Sequence, residues 1–175
     1  MTSRHDRGRA PGANFRVWLC ALAGVGLGVE LGVDLARAQD ASAAGMRVWR
    51  TAGCAACHGT FGEGGGGGEQ PEGPNLRRTA LDAKALRETI RCGRPGSKMP
   101  YFLKGAYTDT SCWNWPAGIA PPADVTGPGR LDAGAIDSLV AYLTARVAGM
   151  AEPVTLAECA SYYGSAEHAG CDPYR

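Results

Sequence analysis

Cys54-Ala55-Ala56-Cys57-His58 is the stretch from which the rest of the chain can be read. It has the form C-x-x-C-H, the attachment signature of a c-type haem. Two thiols two residues apart can form thioether bonds to the two vinyl groups of one porphyrin. The histidine directly after the second thiol then lies under the ring, where its Nε2 can ligate iron. Other readings of the same five residues are a redox C-x-x-C with an unrelated histidine, or half of a zinc site. Zinc requires a second Cys or His pair at comparable spacing, and the sequence offers none.

Outward from that motif, the composition sets bounds. The chain has 175 residues, a formal net charge of +1 and 45% hydrophobic residues, enough for one domain and marginal for two. Its 26 Gly and 11 Pro imply a high share of loop. No basic run points to nucleic acid, and seven Cys point to an oxidising compartment. The start of the chain has the order of a secretory signal: Arg4, Arg7, Arg9 and Arg16, then apolar Val17 to Val33, then Ala36-Arg37-Ala38 before Gln39. Residues 1–38 are therefore expected to be a cleaved signal peptide and the protein periplasmic. The competing reading is an uncleaved membrane anchor. A spanning helix needs about 20 apolar residues, and the charge-free run here ends at Val29. Cys20 lacks the small residue expected before a lipidated cysteine and is read as part of the discarded peptide.

Cleavage would leave 13 basic and 14 acidic residues, and six Cys. Two of these belong to the haem motif. Cys92, Cys112, Cys159 and Cys171 remain, an even set that suggests two disulfides with three possible connectivities. Cys92 and Cys112 flank Met99, so a bond between them would brace that loop. Cys159 and Cys171 are expected to pair locally.

Along the mature chain, Ala41 to Gly53 has helix-forming composition, with Asp40 or Ser42 as cap and Met46, Trp49 and Ala52 on one face. Gly45, four residues before the large Trp49, would let another helix cross closely. Gly59 to Gly73 is a loop whose five-glycine run, Gly64 to Gly68, reads as a flexible surface segment. No Lys-Ser/Thr pair follows it, which argues against a phosphate loop. Gly73-Pro74-Asn75-Leu76 by itself reads as a simple turn, although a backbone carbonyl in a rigid turn also suits the fixed acceptor that a metal-bound histidine requires for its other ring nitrogen. Asp82 to Cys92 reads as a short helix with a stripe of Ala83, Leu86 and Ile90, stopped at Gly93. Met99 follows in a polar loop framed by Pro and Gly, a poor site for a packing side chain and a good one for a thioether ligand. Residues 103–130 read as an irregular insert. Leu131 to Val147 is the clearest helix, with an apolar face through Ile136, Leu139, Val140 and Leu143. The region from 150 reads as a tail, with His168 exposed.

Taken in this order, Gly45 and Trp49, the C-x-x-C-H motif, Gly73-Pro74-Asn75-Leu76, Ile90 and Gly93, Met99-Pro100, and Leu139 to Leu143 resemble the class I c-type cytochromes. The resemblance spans residues 41–148. It implies a small all-α fold in which the first and last helices cross near Gly45, Trp49 and Tyr142. It implies one covalent haem c on Cys54 and Cys57, His58 and Met99 as axial iron ligands, and the Pro74 carbonyl as the group orienting His58. The implied activity is one-electron transfer with redox partner proteins, either as a periplasmic carrier or as the haem subunit of a larger dehydrogenase or oxidase. An enzyme or gas sensor would require Met99 to be off the iron. The expected domains are 1–38 (signal), 39–149 (cytochrome c domain with insert 103–130) and 150–175 (extension). The insert and extension depart from the family pattern, as docking surfaces or as cover for the haem.

Overall fold

The computed structural model describes residues 23–66, 69–110, 112–150 and 152–175, with side chains from Arg37 onward. The basic segment through Arg16, Cys20 and the last two glycines of the five-glycine run lie outside the described residues. The chain divides into Met1–Arg37 and Ala38–Arg175, and the packing below belongs to the second unit. The described residues form five α-helices: α1 (Ala23–Thr51), α2 (Cys54–His58), α3 (Ala83–Cys92), α4 (Ala133–Arg146) and α5 (Leu156–Tyr163), followed by a 3-10 turn at Ala169–Tyr174. The described residues contain isolated bridges but no β-strand, so the fold is all-α. Among the described residues, no helix is long and apolar enough to cross a membrane.

The first helix was expected to begin near Ala41, but α1 already runs from Ala23. No proline interrupts that span, so neither Asp40 nor Ser42 is needed as a cap. Ser42 is buried instead. The inward face of α1 is as expected: Trp49 is 1% exposed, and Ala52 is also buried. At Gly45 a Cβ would collide with the Ser138 carbonyl and the Tyr142 side chain of α4. That glycine is what lets the two helix backbones touch, and the Trp49 and Tyr142 rings stack at a tilt beside the crossing, 6.2 Å apart.

Both α3 and α4 start at aspartate caps. Asp82 Oδ1 accepts from the Ala85 N–H, and Asp132 Oδ1 from the Ala135 N–H, each at 2.8 Å. Such caps satisfy donors that the helix itself leaves open. Leu86 and Ile90 of α3 join Leu139, Val140 and Leu143 of α4 in one core. Each such side chain contributes about 2 kcal/mol through burial. Ala83, expected on that stripe, is exposed. It sits in the first turn of α3. Gly93 ends α3 at φ 68°, where a side chain would be strained.

The insert leaves and re-enters the core at one place. Lys104 N–H donates to the Leu131 carbonyl and Leu131 N–H to the Phe102 carbonyl, both at 2.8 Å. The extension is more ordered than the sequence reading proposed. Thr155 and Glu158 form a reciprocal capping box that starts α5. Phe61 is held edge-on by Tyr162 and Tyr174, with ring centroids 5.1 and 5.4 Å away. Among the described residues two disulfides form, Cys92–Cys112 and Cys159–Cys171, with Cα atoms 5.5 and 5.6 Å apart.

Candidate functional site

Glycine Gly53, in a left-handed conformation, turns the chain out of α1 and into α2, so that Cys54, Cys57 and His58 occupy one short helix. The carbonyls at its end are taken up by the glycine loop. Gly66 and Gly73 N–H groups donate to the Cys57 carbonyl at 2.9 and 2.7 Å, and Gly64 N–H donates to the His58 carbonyl at 2.7 Å. The described part of the five-glycine run is thus wired to the motif rather than free. At Gly66 any Cβ would overlap the α2 backbone, and at Gly73 it would press on the His58 ring. Only glycines allow this approach.

His58 is buried, and its Nδ1–H donates to the Pro74 carbonyl at 3.1 Å. That bond fixes the tautomer and leaves the Nε2 lone pair as the ring's ligating position. Burial pushes the His58 pKa below its ordinary value, with the Pro74 hydrogen bond acting the other way. The ring is therefore held neutral, the form that binds metal. Trp49 lies beside it, ring centroids 6.2 Å apart, and donates its indole N–H to the Thr60 carbonyl at 3.1 Å.

A cavity of about 550 Å³ opens against this helix. Cys54, Cys57, His58 and Pro74 line one part of its wall, and Met99 with Pro100 lines another. Leu86, Ile90, Leu139 and Leu143 supply apolar lining. All the site residues read from the sequence are therefore gathered on one cavity. That size is typical of a cofactor pocket, with mostly apolar walls and a few placed polar groups.

The cysteine chemistry separates cleanly. Four of the six described cysteines are bridged, and Cys54 and Cys57 are free thiols. Burial, offset in part by a backbone hydrogen bond and by Arg130, pushes the Cys54 thiol up to about 12. The residues fit the group that the motif implies: paired thiols for two thioethers, a neutral imidazole, a thioether sulfur and an apolar slot. Bound haem supplies one-electron exchange at its iron.

Residues 40–114 match the family described as cytochrome c oxidase, cbb3-type, subunit III. No curated protein and no solved structure matches the chain. The match makes residues 40–114 similar to a c-type cytochrome domain, a kind of domain that carries covalently bound haem c with iron. A domain of that kind points to electron transfer with redox partner proteins.

Sequence reading missed the contacts that surround the site. Arg77 is buried, with an ion pair to Glu158 of α5 at 2.9 Å. Tyr107 and Trp113 bond to the end of α3. The capping-box spacing of Thr155 and Glu158 was a legible signal for α5, whereas nothing in the sequence marks Tyr107 or Trp113 as partners of particular carbonyls.

Proposed function

We propose that the protein is an exported monohaem cytochrome that carries single electrons between a donor and an acceptor protein in the periplasm. Cys54 and Cys57 hold the haem, and His58 and Met99 ligate the iron. The observation that carries this reading is the shared cavity, with His58 and Met99 contributed by separate segments of its wall. His58 and Met99 would both hold the iron, leaving no protein-free position for a substrate, and the bound haem would supply one-electron exchange with a docked partner. A thioether ligand favours the reduced iron and raises the potential. The N-terminal order of basic, apolar and small residues supports export.

A second reading, the haem subunit of a terminal oxidase, is favoured by the family match. In both, the chemistry of the haem is the same and the partners differ. The ferric spectrum of the purified haem protein tests the ligand set. A weak charge-transfer band near ~700 nm is expected from Met–iron ligation. Met99→Ala should abolish that band and lower the potential. A wild-type spectrum without the band would refute the capped iron. Size-exclusion of the native protein separates the carrier, which elutes alone, from the subunit, which elutes in a larger assembly.

A further inference from the structure

Met99 lies on the loop Arg94–Pro100, whose own hydrogen bonds are few and local. Arg94 N–H donates to the Met99 carbonyl at 3.1 Å, Ser97 N–H to the Arg94 carbonyl at 3.1 Å, and Met99 N–H to Ser97 Oγ at 3.2 Å. Arg94 to Lys98 are exposed. Water competes for such bonds, and segments held only by them open readily. A ligand on a loop of this kind needs an external support.

The insert supplies contacts at the start, the middle and the end of the loop. At the start, the Tyr107 hydroxyl donates to the Cys92 carbonyl at 2.8 Å in a buried setting. The Trp113 indole N–H donates to the Gly93 carbonyl at 2.9 Å. These are carbonyls that α3 leaves open at its end. The Cys92–Cys112 bond ties the same point covalently. In the middle, Gly96 N–H donates to the Asp124 carboxylate at 2.5 Å. At the end, Tyr101 N–H donates to the Thr126 carbonyl at 3.0 Å. Gly127 backs directly onto the Tyr101 backbone, where a Cβ would collide. Tyr107 and Trp113 themselves have φ of 69° and 52°, a left-handed conformation that non-glycine residues adopt only where packing imposes it.

We propose that Tyr107, Trp113 and Asp124 are positioning residues for Met99: the insert clamps the loop, so that the thioether is held at the iron and competing ligands displace it only at higher concentration. The proposal rests on Met99 being the axial ligand, and it goes beyond that assignment by locating the control of ligand exchange in the insert.

The test titrates the ferric haem protein with imidazole and follows loss of the band near ~700 nm. Trp113→Phe keeps the ring and removes the donor. Asp124→Ala removes the acceptor, and Asp124→Asn retains one. Thr108→Val serves as control, since among the described residues its hydroxyl bonds to Gly105 within the insert and not to the Met99 loop. Trp113→Phe and Asp124→Ala should each raise imidazole affinity roughly fivefold to tenfold, the scale of one lost hydrogen bond. Asp124→Asn and Thr108→Val should stay within about twofold of wild type. Unchanged affinity in both weakening variants, with the band intact, overturns the positioning role. If Trp113→Phe does not fold, the exposed Asp124 pair decides the matter alone. A band that survives Met99→Ala refutes the ligand assignment instead, so the two failures are distinguishable.

Discussion

The insert and the C-terminal extension both buttress the haem cavity, but by different physics. The insert reaches the Met99 side through a buried disulfide and backbone hydrogen bonds, with Cys92 and Cys112 both fully buried. The extension reaches the His58 side through charge and aromatic packing. Asn75, directly after Pro74, donates to Glu152, which also pairs with Arg78. Arg77 pairs with Glu158, and Arg50 donates to the Tyr162 carbonyl while its guanidinium covers the Tyr162 ring at 3.9 Å. The disulfide of the extension, Cys159–Cys171, joins α5 to the final turn and not to the core. One buttress is covalent to the domain, and the other is held by groups that respond to pH and salt.

That contrast can be broken by experiment. The largest effect is expected from Cys92→Ala with Cys112→Ala, which opens a loop of 20 residues that ends in the core. Global stability should fall by about 3 kcal/mol, read as a lower thermal midpoint of the haem protein. The matching Cys159→Ala with Cys171→Ala pair should leave the band near ~700 nm intact and loosen the extension alone. Equal effects on that band from the two pairs would erase the distinction.

Glu158→Gln comes next. It takes the carboxylate from a guanidinium that is 1% exposed, while Glu158 itself is 30% exposed. A cost of about 2 kcal/mol follows, below the full value for a buried pair because water reaches the glutamate. Limited proteolysis should then cut first within residues 152–175. Thr155→Ala removes the hydroxyl half of the capping box and should cost about 1 kcal/mol, measured by denaturant unfolding.

The smallest effect is on pH dependence. Burial acts against the Glu158 charge, but its hydrogen bonds to Thr155 and Arg77 outweigh this and hold its carboxyl below the ordinary value of 4.5. Asn75 and Arg78 do the same for Glu152. The folded state therefore binds fewer protons than the unfolded state. This stabilisation is complete above the unfolded value near 4.5 and is lost as pH falls through the lower folded values. Tyrosine fluorescence from the extension should change in that acid window before the haem spectrum does. Simultaneous change would mean that the two buttresses are one cooperative unit.

How much of this was legible in sequence depended on the range of the interaction. Cys54, Cys57 and His58 act on one ligand from adjacent turns, so spacing alone exposed them. Gly45 with Trp49 announced a helix crossing because a missing side chain beside a large one has few other uses. Gly93 marked the end of α3 because a positive-φ stop is a local feature, whereas the caps at Asp82 and Asp132 came from the structure. The start of α1 was misplaced because a favourable cap does not end a helix that can continue. The helix α5 was missed although its capping box, Thr155 and Glu158, stood in the sequence.

By itself, then, the sequence determined the haem attachment motif, the helical class and the segments that carry His58, Pro74 and Met99, all of which depend on local covalent or helical geometry. Only the tertiary structure decided what holds those segments in place. Tyr107, Trp113 and Asp124 bond to backbone groups of Cys92, Gly93 and Gly96. Every residue presents such a carbonyl or N–H, so the pairing has no signature in side-chain identity. It exists only once the insert has folded back onto α3.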